Sequence, residues 1–206
     1  GVDIIDIGGE STRPGADRVS AEEEQARVLP VITELAKYGV KISIDTMRAD
    51  TAEKAVQAGA AIINDVSGGL SDPAMFTTVK KLGVPYILMH WRGESKDMNS
   101  RAIYTDVVTD VISEINSQVD AALDAGINKS QIIIDPGLGF AKDAEHNREI
   151  LRNLKAFTSM GYPVLIGASR KRFLGGDNPD EREAATIELT KTLAPQGIWG
   201  IRVHSV

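Results

Sequence analysis

The sequence predicts an α/β fold, a TIM (β/α)8 barrel, from three observations along its 206 residues. Short apolar segments alternate with longer stretches in which apolar residues recur at helical spacing, which is typical of a parallel sheet with right-handed crossovers. The short segments are almost continuously apolar, as strands buried on both faces are. A residue that can hydrogen-bond or ionise follows each of the seven predicted strands. This favours a barrel over a doubly wound sheet, because a barrel gathers many strand ends at one rim.

The predicted elements follow one another as a strand and then six helix–strand pairs. The strands are Asp3–Ile7, Lys41–Ile44, Ala61–Ile63, Tyr86–Met89, Ile132–Ile134, Val164–Gly167 and Trp199–Ile201. The helices are expected at about residues 20–38, 49–58, 72–82, 104–125, 144–158 and 180–193. Ser20 with Glu23 matches a capping box at the start of the first helix, and Gly39 is suited to its end.

Seven strands are one short of the eight that a complete barrel contains. The sequence begins at Gly1, directly before the first predicted strand, and it ends directly after the last one. We therefore expect residues 1–206 to form a single barrel domain without the first βα unit and the last outer helix. No linker or low-complexity tract divides this domain.

The composition argues against several functional classes. A net charge of -6 disfavours a surface for nucleic acids or anionic membranes, so an anionic ligand needs a local cluster of cations. The absence of cysteine excludes a disulfide framework and a thiolate metal site, and it suits a cytoplasmic protein. No apolar run approaches the roughly 20 residues of a membrane helix. These features fit a reducing cytoplasm and argue against nucleic-acid and membrane partners.

Three of the strand ends carry side chains that suit the edge of a flat heterocycle. Asp45 can accept two parallel hydrogen bonds at the rim, or alternatively cap the next helix. Asn64 can both donate and accept, while Asp65 has the opposite strand parity and is predicted to make structural bonds. Asp135 precedes a rigid turn whose glycines let a ligand approach the backbone, and Phe140 offers a stacking platform. The alternative is a tight turn that has no ligand.

Cations gather after the last two predicted strands. Lys171 lies within the basic segment Ser169–Phe173, and Arg202 and His204 share one face after the last strand. In barrels these loops often form a phosphate site, and Arg, Lys and His all donate to anions. The alternative is that the charges pair with nearby carboxylates. His90 is predicted to be structural, and no residue set has the spacing of a protein-held zinc site.

Taken together, these segments resemble the dihydropteroate synthase family. The matching segments are Asp3–Gly15, Ser43–Thr46, Ile63–Gly68, Met89–Gly93, Asp135–Phe140, Ser169–Lys171 and Arg202–His204. The resemblance covers essentially the whole chain in family order. It implies a cytoplasmic, homodimeric transferase of folate biosynthesis and a sulfonamide target. That enzyme joins 6-hydroxymethyl-7,8-dihydropterin pyrophosphate to para-aminobenzoate, giving 7,8-dihydropteroate and pyrophosphate.

The resemblance also assigns roles to residues. The implied catalytic residues are Asp45, Asp135, Lys171, Arg202 and His204. The implied substrate-binding residues are Thr12, Arg13, Pro14, Asn64, Val66, Met89, Phe140, Gly167 and Arg172. The implied cofactor is Mg²⁺, held mainly by pyrophosphate oxygens and water, as Mg²⁺ prefers. The family's metal-side Asn falls in the first strand that this sequence lacks, so no metal ligand is predicted within the chain.

Two positions depart from the family pattern. Arg172 stands where many members have Ser, so contacts to the benzoate carboxylate are expected to differ. Ser205 stands where many members have Asp, and we expect it to act through neighbouring residues. Two alternatives therefore remain open: a non-catalytic pterin-binding paralogue, and a pterin-binding methyltransferase of a corrinoid system. The loop Ser11–Gly15 and the segment Ser169–Lys171 argue against the methyltransferase.

Overall fold

Parallel strands form the inner layer of the protein, here as a computed structural model that describes residues 1–205 except 14, 95, 177, 179, 180 and the side chain of 99. The strands are β1 (Ile5–Gly8), β2 (Ile42–Asp45), β3 (Ile62–Asp65), β4 (Tyr86–Met89), β5 (Ile132–Asp135), β6 (Leu165–Ile166) and β7 (Gly200–Ile201). Strands β1 to β5 pair in chain order, β6 pairs with β7, and a parallel bridge between Ile134 and Val164 joins the two sets. This consecutive parallel order is the one predicted for a TIM barrel.

Helices cover the outer face of the strands. They are α1 (Ala21–Ala36), α2 (Ala49–Gln57), α3 (Met75–Leu82), α4 (Val107–Asp124), α5 (Ala144–Arg152), α6 (Leu154–Thr158) and α7 (Glu181–Leu193). Short 3-10 turns occupy Met98–Arg101, Lys129–Gln131, Arg172–Leu174 and Ala194–Gln196. None of the helices in the described part of the chain has the length and apolar character that crossing a bilayer requires.

Helices are present where the sequence predicts them, but several differ from the prediction at their ends. Ser20 caps α1, since its hydroxyl accepts from the backbone N of Glu23 at 3.1 Å, while the Glu23 carboxylate pairs with Arg27 instead of completing a capping box. The third helix begins later than predicted because the carboxylate of Asp72 accepts from the backbone N of Ala74 at 2.9 Å. Such a local bond keeps its residue outside the helix.

The predicted helix at residues 144–158 is two helices. Asn153 separates α5 from α6, and its side-chain amide donates to the carbonyl oxygen of Glu149 at 2.9 Å. An Asn side chain that bonds to backbone competes with helical hydrogen bonding. The break was therefore not visible in hydrophobic periodicity, which continues across it.

Two apolar cores lie on the two faces of the strands. The larger one packs between the strands and the helices, and the smaller one fills the inside of the strand arc. The inner core consists of Ile62, Ile87, Ile133 and Leu165. Two residues further along the same strands come Asn64, Met89, Asp135 and Gly167. Because alternate residues of a strand share a face, these four continue the inner face towards the carboxyl ends of the strands.

The strand arc is open between β7 and β1. Among the described residues no backbone pairing joins these two strands, and the side chains of Arg202 and Asp6 meet across this side at 2.6 Å. The expected absence of a first βα unit from the domain stays a prediction.

Candidate active site

The carboxyl ends of the strands surround an opening that we call the mouth, lined by Asp45, Asn64, Asp135 and Arg202. The two carboxylates and the amide are buried, with exposures of 8%, 4% and 6% for Asp45, Asn64 and Asp135. Strand alternation explains their orientation, since each lies two residues beyond an inner-face residue. The structure thus brings together residues that are far apart in the sequence.

Arg202 is the hub of the hydrogen bonds in the mouth. Its Nε lies 2.6 Å from Asp6 Oδ2, and its Nη2 lies 3.0 Å from Asp45 Oδ2. Asn64 donates to the same Asp6 oxygen at 3.2 Å. Asp6 therefore orients two predicted site residues, although sequence reasoning missed it. Strand parity could have identified Asp6 from the sequence, because Asp6 lies two residues after Ile4, which packs against the inner core.

One oxygen of Asp6 has no hydrogen-bond partner in the described part of the chain. This atom, Oδ1, is buried. A buried carboxylate oxygen without a donor is costly unless a ligand or water supplies one. The unmatched oxygen therefore marks Asp6 as part of the polar lining of the mouth.

The electrostatics of the mouth hold one group near its titration point. Burial and, after it, the neighbouring Asp6 carboxylate raise the pKa of Asp45 to about 7, against the opposing effect of Arg202. Burial alone would lower the pKa of Arg202, but Asp45 and Asp6 outweigh it and raise that pKa. Arg202 therefore stays charged, while Asp45 can gain or lose a proton near neutral pH.

The turn after β5 holds Asp135 by one oxygen only. The backbone N of Gly137 donates to Asp135 Oδ1 at 2.7 Å. The other oxygen faces the mouth, where a Cβ atom at Gly167 would lie 3.8 Å from it and 4.0 Å from the Cβ of Arg202. Burial raises the pKa of Asp135, and Lys171 opposes this effect. Gly167 therefore keeps a narrow space open between two predicted catalytic residues.

Lys171 lies against the turn that carries Phe140. Its ammonium sits 4.7 Å from the centre of the Phe140 ring, and it donates to the carbonyl oxygen of Leu138. Burial lowers the pKa of Lys171 to about 8, against the attraction of Asp135. A Cβ atom at Gly139 would lie 2.8 Å from Lys171 Cδ, so the glycine is needed for this close approach.

His204 lies in a region of positive potential. Its Nδ1 is 3.0 Å from the hydroxyl of Ser169, and its backbone N donates to the same oxygen at 3.2 Å. Partial burial lowers the pKa of His204, and the nearby cations lower it further. Those cations are Arg202, Arg170, Arg13 and Lys171. The arrangement is suited to binding an anion.

The cations do not all face the mouth. Arg170 pairs with Glu183 at 2.8 Å and donates to the hydroxyl of Ser205 at 2.7 Å. Arg170 therefore pairs with a nearby carboxylate, which was the alternative to binding an anion. Ser205 touches this neighbour rather than the mouth residues, in line with an indirect effect. Arg172 is exposed within a 3-10 turn.

An apolar wall closes one side of the mouth. Val66, Met89 and Phe140, all predicted for the site, pack with Met47, which was not predicted. A shallow recess adjoins this cluster and is lined in part by Thr12. Met47 could have been found because it follows Asp45 at the strand spacing of two residues.

The loop over the mouth is placed in part. Thr12 lines the recess, Arg13 is exposed, and Pro14 lies outside the described residues. At the far end of the loop, Arg18 pairs with Glu10 at 3.0 Å. The loop is therefore anchored beside the recess.

The predictions of structural roles for Asp65 and His90 are confirmed. The carboxylate of Asp65 accepts hydrogen bonds from Ser67, Gly69 and Tyr86. His90 is fully buried, and its imidazole contacts other protein side chains. Both residues stabilise the walls on which the site residues stand.

Comparisons with known proteins agree with this geometry. A family model described as pterin binding enzyme matches residues 1–204. The dihydropteroate synthase of Mycobacterium leprae is 48% identical, and the match covers 100% of this chain and 76% of that protein. The dihydropteroate synthase of Bacillus subtilis is 45% identical, with 100% and 71% covered.

Solved structures show the same fold with ligands. The Xanthomonas albilineans dihydropteroate synthase with 4-aminobenzoic acid has a TM-score of 0.94 at 41% identity, covering 100% of this chain and 75% of that one. The Yersinia pestis dihydropteroate synthase in a sulfonamide drug complex has a TM-score of 0.96 at 38% identity, covering 100% and 76%. The barrel prediction is confirmed by these likenesses. Since the family model matches almost the whole chain and curated relatives share nearly half of its residues, the chain belongs to the pterin-binding enzyme family, as a dihydropteroate synthase of folate biosynthesis.

Proposed function

We propose that this transferase binds the pterin of its first substrate against Asp45, Asn64 and Asp135, and its pyrophosphate against Arg202 and His204. The observation that carries the proposal is the buried carboxylate of Asp135, which accepts one hydrogen bond in the described part of the chain and keeps its second oxygen for a ligand. Asp135 keeps one carboxylate oxygen facing the opening, and the three acceptors are buried to more than nine-tenths. Buried polar groups of this kind need partners, which the N–H edge of a pterin supplies.

The two sides of the mouth match the charges that develop in the reaction. The amine nitrogen of para-aminobenzoate attacks the methylene carbon of the pterin, the carbon–oxygen bond to pyrophosphate breaks, and the new ammonium loses its proton. Positive charge grows on the pterin, where Asp45 and Asp135 lie. Negative charge grows on the leaving group, where Arg202 and His204 donate. An aniline nitrogen is already a nucleophile, so orientation and exclusion of water carry much of the rate.

Arg202 has to change partners during substrate binding. Its guanidinium holds Asp45 at 3.0 Å and Asp6 at 2.6 Å, so Asp45 is not free in this conformation. We infer that the arriving pyrophosphate draws one arm of Arg202 away while Asp6 retains the other. Asp45 is then released to accept hydrogen bonds from the pterin.

We propose that the second substrate binds beside the apolar wall. Thr12, Val66 and Phe140 line the recess there, and Lys171 Nζ lies 4.7 Å from the centre of the Phe140 ring. A benzoate ring can pack on the apolar side chains while its carboxylate meets Lys171 or Arg172. The Xanthomonas albilineans relative binds 4-aminobenzoic acid, and the Yersinia pestis relative binds a sulfonamide drug. We propose that both kinds of molecule bind here.

Mg²⁺ is the cofactor that we propose for this reaction. Within the described residues, no group of three His, Cys, Asp or Glu side chains is placed to hold a metal ion. These side chains therefore do not by themselves form a binding site for a cation. The proposal therefore assigns Mg²⁺ to the oxygens of pyrophosphate and water. Calorimetry of the pyrophosphate substrate with and without Mg²⁺ tests it, and equal affinities would contradict it.

We also propose a cytoplasmic homodimer, and both expectations rest on the family. Sedimentation of the purified chain over a wide concentration range tests the dimer. A single monomeric species at micromolar concentrations would contradict it.

The substitution Asp135→Ala tests the proposed site. It should abolish measurable binding of the pterin substrate in calorimetry and reduce product formation by at least about a hundredfold, because the pterin loses a charge-assisted bond. Asp120→Asn, an exposed carboxylate on α4, is the matched control and should leave both unchanged. Unchanged pterin affinity in Asp135→Ala would overturn the site assignment.

A further inference from the structure

Lys142 is a buried lysine to which neither the sequence nor the proposed reaction gives a role. Only 7% of the residue is exposed. Its Nζ lies 2.8 Å from His90 Nδ1, 3.1 Å from the carbonyl oxygen of Gly137 and 3.0 Å from that of Phe140. Three acceptors match the three N–H bonds of an ammonium. A buried lysine is rarely retained unless such partners compensate for its burial.

The orientation of His90 agrees with this donor role of Lys142. Burial lowers the pKa of His90 to about 4, so the imidazole is neutral at physiological pH. Because Lys142 donates to Nδ1, the ring proton resides on Nε2, which lies 2.9 Å from Glu114 Oε2. The carboxylate of Glu114 is in turn held by Arg92 at 2.5 Å. The ammonium is thus fixed to α4 through a chain of directed bonds.

Both carbonyls that Lys142 holds belong to the turn that carries the pterin contacts. Gly137 uses its N–H to orient Asp135 at 2.7 Å and its carbonyl to accept from Lys142 at 3.1 Å. Phe140 accepts from Lys142 through its backbone and presents its ring to the apolar wall. One ammonium therefore connects the orientation of the carboxylate with that of the ring.

The turn needs such fixing because its backbone is unfavourable. Ala141 has a φ of 47°, in the left-handed region that is unfavourable for a residue with a side chain. Its carbonyl accepts from the hydroxyl of Tyr104 at 2.9 Å, and the N–H of Gly139 is bound by Asn147 at 2.7 Å. These bonds hold the turn at Gly139 and Ala141, while Lys142 holds it at Gly137 and Phe140.

We propose that Lys142 is a positioning residue for the pterin site, fixing the turn from Gly137 to Phe140 so that Asp135 and the Phe140 ring meet the pterin in one geometry. The inference rests on the proposed function, since it assumes that Asp135 and Phe140 contact the pterin. Lys142 itself touches neither substrate. It acts through the carbonyl oxygens of Gly137 and Phe140, which its ammonium holds.

The substitution Lys142→Met tests this inference, because methionine keeps the length of the side chain and removes the donors. The affinity for the pterin substrate should fall about tenfold, because the turn is no longer held in one orientation. A tenfold loss corresponds to roughly 1.4 kcal/mol of binding free energy. The KM for para-aminobenzoate at saturating pterin should rise less than the pterin affinity falls, because Asp135 is assigned to the pterin alone while Phe140 lines the recess of the second substrate. A general loss of folded protein would instead lower kcat and leave both KM values alone.

Phe157→Leu supplies the matched control. Phe157 is fully buried in the outer core, so this truncation destabilises the fold without touching the turn. Pterin affinity should be unchanged in Phe157→Leu when its loss of stability in urea is comparable to that of Lys142→Met. If both variants lose pterin affinity equally, or if neither does, the inference is wrong.

A second variant covers the case in which Lys142→Met does not fold. Lys142→Gln retains two N–H donors and should show a smaller loss of pterin affinity with the same KM pattern. Unaltered pterin affinity in this variant would overturn the inference. Asp135→Ala distinguishes the two proposals. If this variant keeps its pterin affinity, the proposed function is wrong. If it loses pterin affinity while the Lys142 variants keep theirs, only the proposed role of Lys142 is wrong.

Discussion

Asp65 and Asp135 end two parallel strands of the same barrel, yet their carboxylates are used in opposite ways. Both are buried, and burial raises the pKa of each. Asp65 accepts bonds at 2.6 to 2.8 Å from Ser67, Gly69 and Tyr86, which engage both of its oxygens. Asp135 accepts one bond in the described part of the chain, from Gly137, and its second oxygen faces the mouth.

The difference separates carboxylates that hold the fold from those that hold a ligand. A buried carboxylate is tolerated when donors match its oxygens. The protein supplies all the donors for Asp65, so that residue has nothing left to offer a substrate. For Asp135 the remaining donor has to come from a bound molecule. Strand parity sets the distinction, because Asp65 lies on the outer face of β3 and Asp135 on the inner face of β5.

The largest expected effects are those of Asp65→Asn on stability and of Asp135→Asn on pterin affinity. Asp65→Asn turns one acceptor oxygen into a donor amide facing other donors, so the free energy of unfolding should fall by about 3 kcal/mol. Pterin affinity of the folded protein should stay within about twofold. Asp135→Asn should leave stability nearly unchanged and lower pterin affinity by at least about tenfold. Urea unfolding and calorimetry measure the two quantities.

The two variants serve as each other's control. If Asp65→Asn lowers pterin affinity as strongly as Asp135→Asn does, saturation by hydrogen bonds does not distinguish the two kinds of carboxylate. If Asp135→Asn proves the more destabilising of the two, the comparison is reversed.

The next prediction concerns how the free energy of unfolding depends on pH through a third buried carboxylate, Asp45. Burial and the Asp6 carboxylate raise the pKa of Asp45 to about 7 from its ordinary value of 3.8. The folded state therefore binds a proton that the unfolded state has released between these values. The stabilisation by this proton is complete below about pH 4 and is lost as the pH rises through 7. The slope approaches about 1.4 kcal/mol per pH unit.

Asp45→Asn should remove this dependence. The free energy of unfolding of the unmodified protein should fall relative to the variant between pH 5 and 7. Burial also lowers the pKa of Lys142 to about 7, but that group adds stability as the pH rises above 7, so the two windows are separate. Parallel stability curves for protein and variant from pH 5 to 7 would contradict the prediction.

The sequence predicted the parts of the site that follow from strand parity and order. Asp45, Asn64, Asp135 and the apolar residue Met89 all lie at the mouth, because alternation along a buried strand determines their direction. The same rule would have identified Asp6, had it been applied to the first strand. Sequence periodicity therefore carries more of this site than the motifs alone suggest.

The remaining parts depend on contacts between distant loops. Lys142 is one lysine in a loop, and only the folded chain brings it to His90, whose Nδ1 is 2.8 Å away. Arg170 looked like an anion ligand, but its carboxylate partner Glu183 lies on α7. No local pattern shows which of several neighbouring cations finds such a partner, so their roles could not be divided in advance.

The smallest expected effect concerns the cationic side of the mouth and tests whether it acts on the anion alone. His204→Ala should weaken binding of the pterin pyrophosphate about tenfold, the loss of one charge-assisted hydrogen bond. Binding of the hydroxymethyl dihydropterin without phosphate should stay within twofold, because Asp135 and Asn64 remain in place. Ser205→Ala is the adjacent control, since Ser205 bonds to Arg170 at 2.7 Å and not to the mouth. Equal losses for both ligands in His204→Ala would show that the two sides of the mouth are not separable, and that the division of labour drawn from Asp65 and Asp135 does not extend to the cations.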